Sequence, residues 1–191
     1  VRLALGWAGW KTYVGRPQVD EWRCKAMGLL GTALRQSSLP EEALPIFEAS
    51  MELILRYCSH DILAILSSQT NLAVCLSDLG RADEALVLSR AIYARSVTAL
   101  GASDENTIRN GMNLAVSICR QGLFDEAKSF ARGLLPVAQQ SLGSDSSLTL
   151  GLNYNLAWTL NNSPDRTRDG PRFNPQAPRR PVFDLNTGGD L

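Results

Sequence analysis

The sequence repeats itself at a period of 42 residues. Asn113-Leu114-Ala115-Val116, Gly122, Asp125-Glu126-Ala127, Arg132 and Leu142-Gly143 have counterparts upstream. These are Asn71-Leu72-Ala73-Val74, Gly80, Asp83-Glu84-Ala85, Arg90 and Leu100-Gly101. The start of the pattern returns once more as Asn155-Leu156-Ala157. Residues 67–108 and 109–150 align without a gap and share 12 of 42 positions. The shared positions are small residues, a glycine, an acidic pair and apolar anchors, the residue types that packing restrains. A fixed period of this size means stacked helical units, none of which can bury its apolar face alone. The expected object is therefore a repeat array that binds something.

A weaker copy precedes these two. Leu30, Leu34, Glu42 and Ala43 fall one period before Leu72, Leu76, Glu84 and Ala85, with Ser38 in place of the turn glycine and Cys58-Ser59 in place of leucine-glycine. The expected organisation is an array over 25–162, with copies at about 25–66, 67–108 and 109–150 and a half copy at 151–162. Residues 1–24 read as an N-terminal helix or cap. Leu3, Trp7, Trp10 and Val14 make one apolar stripe, and Gly15 and Pro17 end it. Residues 163–191 hold five of the nine prolines, keep no helical or strand period, and read as a disordered tail. The start at Val1 and the half copy at the end suggest a fragment of a longer protein.

The period places helices at about 20–36, 41–57, 62–79, 82–100, 106–121 and 124–142. Gly80 and Gly122 follow the first helix of their pairs, where a left-handed residue closes a helix. Pro136 falls inside a helix and is expected to kink it. Ala73 with Ala85, and Ala115 with Ala127, sit where the two helices of a pair cross, and alanine there lets the axes approach to about 8–10 Å.

The pattern resembles the tetratricopeptide repeat, and specifically the 42-residue form of kinesin light chains. Thr107-Ile108, Asn113-Leu114-Ala115, Gly122, Glu126-Ala127 and Leu142-Gly143 carry the resemblance, which covers about 25–162. The family's His-Pro after the leucine-glycine is absent; Asp104-Glu105 and Ser146-Ser147 stand there. The resemblance implies an all-α, right-handed superhelical solenoid of antiparallel helix pairs, with the first helices lining a concave groove. It also implies a non-catalytic adaptor that holds an extended peptide of a partner protein, in kinesin light chains a cargo or a motor subunit.

Within that frame Asn71, Asn113 and Asn155 occupy one position of three first helices. An amide both donates and accepts, so it suits a peptide backbone whatever the side chains. Arg109 lies one turn before Asn113 and resembles a carboxylate clamp; Tyr154 and Trp158 flank Asn155. These four residues, Asn71, Arg109, Asn113 and Asn155, are the expected peptide-binding groove. The tail segment Phe183–Leu185 has the apolar-acidic look of a groove ligand.

Other chemistries lack their residues. Lysine plus arginine equals aspartate plus glutamate, 19 each, which gives no electrostatic reason for nucleic acid or an anionic membrane. No apolar run approaches the roughly 20 residues of a membrane helix. There is one histidine, His60, and no close cysteine pair among Cys24, Cys58, Cys75 and Cys119. Reduced core thiols in a cytoplasmic protein, with no metal or other cofactor, are the reading. Asp83-Glu84 and Asp125-Glu126 recur at helix starts, where they complement the dipole; that is structure rather than acid–base catalysis. Two alternatives stand beside the adaptor: an oligomerisation or spacer segment of a larger signalling protein, and part of an enzyme whose catalytic domain lies elsewhere.

Overall fold

The computed structural model describes the backbone of residues 17–162 and side chains over 22–161. Among these residues there are seven helices and no strand: α1 (Pro17–Gln36), α2 (Pro40–Tyr57), α3 (Ile62–Asp78), α4 (Ala82–Leu100), α5 (Glu105–Arg120), α6 (Phe124–Leu142) and α7 (Ser147–Asn162). The expected helix before residue 16 and the expected tail after residue 162 lie outside the described residues. Pro17 opens α1, where its fixed φ fits and its missing N–H costs nothing. Two compact units result, residues 1–88 and 89–191, with the division falling inside α4.

Three turns share one geometry. Gly80 and Gly122 have φ of 78° and 76°, and Ser38, at the same register, has φ of 61°. Each ends its helix with the same two bonds. In the first copy Ser38 N–H donates to the Arg35 carbonyl and Leu39 N–H to the Leu34 carbonyl, both at 3.0 Å. Gly80 and Arg81 do the same to Ser77 and Leu76, and Gly122 and Leu123 to Cys119 and Ile118. The degenerate copy thus keeps the backbone after losing the glycine. A left-handed conformation costs a residue with a side chain about 1–2 kcal/mol, partly offset by the greater unfolded freedom of glycine. Ser38→Gly is therefore expected to stabilise the protein by about 0.5–1 kcal/mol, read as a higher urea midpoint at unchanged slope.

The second helices share a buried stripe. In α2 it is Ala43-Phe47-Ser50-Ile54, in α4 Ala85-Ser89-Ile92-Ser96, and in α6 Ala127-Ala131-Leu134-Ala138. The spacing of four, three and four puts each set on one helix face. Facing Ala43, Ala85 and Ala127 in register are Gly31, Ala73 and Ala115, all buried. The small residue in the first copy is a glycine because Phe47 fills its space: a Cβ on Gly31 would meet the Phe47 ring at 2.6 Å.

In the first unit, Phe47, Ala43 and Cys75 form one core, joined by Leu34 and Leu72. Cys24, Leu53, Ile54 and Ile65 form another. Arg35 of α1 bridges to Asp78 of α3 at 3.1 Å, both nearly buried. Asp61 caps α3 by accepting from the Ala64 N–H at 3.0 Å. In the second unit, Ile108, Met112 and Ala115 of α5 pack with Ala131, Leu134 and Ala138 of α6 and Leu148 and Leu152 of α7. Gly111 lets α5 approach both neighbours: a Cβ there would lie 2.6 Å from Leu134 and 3.0 Å from Tyr93. Tyr93 meets Phe130 edge to face, with centroids 5.2 Å apart. Helix α6 runs through Pro136 to Leu142. The carbonyl that loses its donor belongs to Arg132, and both residues are exposed, so water can satisfy it.

Candidate functional site

Helix α5 begins at Asp104, whose carboxylate accepts from the Asn106 N–H at 2.8 Å and the Thr107 N–H at 3.4 Å. That cap occupies the place where the resembling family has His-Pro. The inner side of α5 is tied to α4 by two polar links. Asn110 donates through Nδ2 to Ser96 Oγ at 2.8 Å, and Ser96 donates to the Ile92 carbonyl at 2.8 Å. Ser117 donates to the Asn113 carbonyl at 3.0 Å and lies 3.1 Å from Ser89 Oγ.

Asn110 is thus the structural asparagine of α5, buried and bonded, and reasoning from the repeat passed it over. Its register partners, Ser68 and Leu152, are both buried in the structure, so an amide there needs a partner. Asn113 is different. It is half-buried at the edge of the packed face, and its amide makes no hydrogen bond among the described residues. Asn155 of α7 is half-buried in the same way; only its backbone carbonyl is used, accepting from Thr159 Oγ1 at 2.7 Å. Asn71 of α3 belongs to the first unit, where it is half-buried and has interactions of its own.

Arg109 lies one turn before Asn113, as expected, but its guanidinium is already engaged: it pairs with Glu105 of the same helix. An i,i+4 pair of this order forms wherever the two residues fall on one exposed face. A ligand carboxylate would have to compete with Glu105. Tyr154 and Trp158 are both substantially exposed on α7, at 51% and 39%.

Glu84 pairs with Arg81, whose guanidinium holds it below the usual carboxylate range. Glu126 pairs with Arg90, and Asp125 with Lys128. The recurring acidic pairs are thus partners at helix starts. All four cysteines are free thiols. Burial pushes Cys75 up to about 11, with Asp78 adding to the rise, and burial raises Cys119 as well against an opposing bond from Thr159. Neither is poised as a nucleophile at neutral pH. His60 is exposed in the link between α2 and α3. No helix among the described residues is long and apolar enough to cross a membrane.

Comparison with known proteins agrees with the geometry. The tetratricopeptide repeat family matches residues 22–101. No curated protein sequence matches. Among solved structures, the nearly identical TPR-like repeats of a kinesin light chain candidate from Podosopora anserina superpose with a TM-score of 0.66 at 19% identity, over 73% of this chain and 66% of that one. BtubC (BKLC) from P. vanneervenii superposes with a TM-score of 0.64 at 16% identity, over 74% of this chain and 56% of that one. The chain spans about two thirds of the first and just over half of the second. At these identities the fold is what is shared: all-α, a solenoid of antiparallel helix pairs. Residues 22–101 thus match the tetratricopeptide repeat family, and the fold resembles that of kinesin light chain-like repeats.

Proposed function

We propose that this protein-interaction scaffold holds an extended segment of a partner protein along the face of α5 and α7 that carries Asn113 and Asn155. The observation that carries the reading is the state of these two amides. Both are half-buried, and neither makes a side-chain hydrogen bond among the described residues. Half-buried amides without protein partners are suited to a peptide backbone, which offers one donor and one acceptor per residue. Asn71 holds the equivalent place in the first unit. Arg109 contributes to acidic segments once Glu105 yields it. The reading is non-catalytic, needs no cofactor, and is drawn for a partner that is a protein rather than nucleic acid or a membrane, in the cytoplasm.

The test is a peptide-array screen with the full chain, followed by titration of the best binder. Asn113→Ala is expected to weaken binding about five-fold, the equivalent of one backbone hydrogen bond of roughly 1 kcal/mol. Glu105→Gln removes the carboxylate that pairs with Arg109 and is expected to strengthen acidic peptides a few-fold without changing neutral ones. Peptides that bind equally well to the wild type and both variants would place the site elsewhere.

A further inference from the structure

Helix α7 presents an apolar face that its counterparts bury. Leu150, Tyr154 and Ala157 stand one period after Ile108, Met112 and Ala115 of α5, and two periods after Leu66, Thr70 and Ala73 of α3. Those six counterparts are all buried. Ile108 and Met112 are 0% and 4% exposed, whereas Leu150 and Tyr154 are 54% and 51% exposed. The difference has a visible cause. Ile108, Met112 and Ala115 are covered by the α6 stripe and by α7. Leu148 and Leu152, on the inner side of α7, join that core, and at about 100° per residue Leu150, Tyr154, Ala157 and Asn161 fall on the opposite side. Their spacing of four, three and four matches the stripe by which the second helices cover the first.

The sequence that follows does not carry a covering stripe. In register, the four stripe positions after α7 are Asp169, Phe173, Gln176 and Arg180, with Pro164, Pro171, Pro175 and Pro178 around them. A helix interior excludes proline, and a buried stripe excludes unpaired charge.

Two features say what fits the α7 face. The first is charge. None of the 16 residues of α7 is aspartate, glutamate, lysine or arginine. An interface related by a two-fold axis sets each central residue near its own copy, so any charge there would meet its like. A different partner could be met with complementary charge; a second copy of α7 could not. The second is shape. In an antiparallel pair of α7 helices centred between Asn155 and Leu156, Tyr154 of one copy lies opposite Ala157 of the other, and Leu150 opposite Asn161. Large meets small twice across the axis, as interdigitating helices require.

We propose that the chain pairs with a second copy of itself through the Leu150–Tyr154–Ala157 face of α7, each α7 supplying the cover that α6 gives to α5. The surface lies on the other side of α7 from its packed core, and the proposal stands independently of peptide binding. One helix face per copy is a small interface, so the expected affinity is about micromolar.

The experiment is sedimentation of the full chain from about 1 to 300 µM, which spans the range of small interfaces. The mass is expected to rise with concentration towards twice the 20.8 kDa of one chain. Tyr154→Glu and Ala157→Lys, each at an exposed position, are expected to raise the dissociation constant at least ten-fold while leaving the circular dichroism unchanged. Mixing the two variants sets the introduced carboxylate of one chain against the introduced ammonium of the other and is expected to restore the dimer as a heterodimer. A chain that stays monomeric throughout, or a dimer that both variants leave intact, overturns the proposal. So does a chain that dimerises only after residues 163–191 are removed, because its own tail would then be the cover.

Discussion

Gly31→Ala is expected to destabilise the protein by about 2–3 kcal/mol, although alanine is the better helix former by about 1 kcal/mol. Gly31 lies inside α1, away from any turn, so propensity alone favours the substitution. The ring of Phe47 opposes it. A Cβ on Gly31 would approach three ring atoms at 2.6, 2.8 and 2.9 Å, and a fully buried aromatic ring has nowhere to rotate. The contrast with Gly111 sharpens the point. There the closest atom is a terminal methyl of Leu134, which can change rotamer, so Gly111→Ala should cost less. Phe47→Ala alone is expected to cost about 3–5 kcal/mol through lost burial and the cavity left behind. The two changes are coupled through one volume. In the third copy the same two positions are Ala115 and Ala131, both buried, so the pair has exchanged size between copies. In the Phe47→Ala background Gly31→Ala should therefore change sign and stabilise by about 0.5–1 kcal/mol. Urea denaturation of the four proteins reads the cycle, with an expected coupling of about 2.5–4 kcal/mol. Additive effects would mean that Gly31 and Phe47 do not share the space.

The exchange also shows what the sequence could and could not reveal. Period, helix order and turn positions were legible because three copies carry them: Gly80 and Gly122 mark the same left-handed turn, and Asp83-Glu84 and Asp125-Glu126 the same helix start. Pairwise compensation was not legible. Gly31 stands where the other copies have Ala73 and Ala115, and only Phe47 across from it gives the reason. Ser38 looked like a broken turn, yet its φ of 61° preserves the motif, because two backbone bonds hold it there. The family's threonine signal proves to be one of shape. Thr107 and Thr149 are fully buried with hydroxyls that find no partner, and their register partner in α3 is Ile65. The position takes a β-branched side chain, and the hydroxyl adds nothing to the packing. At the candidate site the repeat correctly brought Arg109 and Asn113 onto one helix. It could not show that Glu105 holds the arginine, since no other copy has that pair. Nor could it separate Asn110 from Asn113, three residues apart and alike in type, one buried and the other half-buried.

Arg35→Ala is expected to cost about 2–4 kcal/mol, most of it from the aspartate that the arginine leaves behind. Arg35 of α1 and Asp78 of α3 bridge at 3.1 Å with side chains only 11% and 14% exposed. Such a pair gains much of its attraction merely to repay the removal of two charges from water. Losing one partner keeps the desolvation of the other and removes the opposite charge that faces it. Asp78 would then sit near Cys75, whose thiol the carboxylate already helps to hold protonated. Replacing both residues by apolar ones of similar size, as in Arg35→Met with Asp78→Leu, removes both charges together and should recover most of the loss. The comparison separates two accounts of how the first copy is joined to the second. If the bridge itself supplies the stability, the double variant should be at least as weak as Arg35→Ala. If the apolar cores around Phe47 and Ile65 supply it and the bridge only sets the register of α1 on α3, the double variant should approach the wild type in urea midpoint. The burial of those cores favours the second outcome. The mark of the lost register would then appear in a broader amide hydrogen exchange across α1 and α3 rather than in the midpoint.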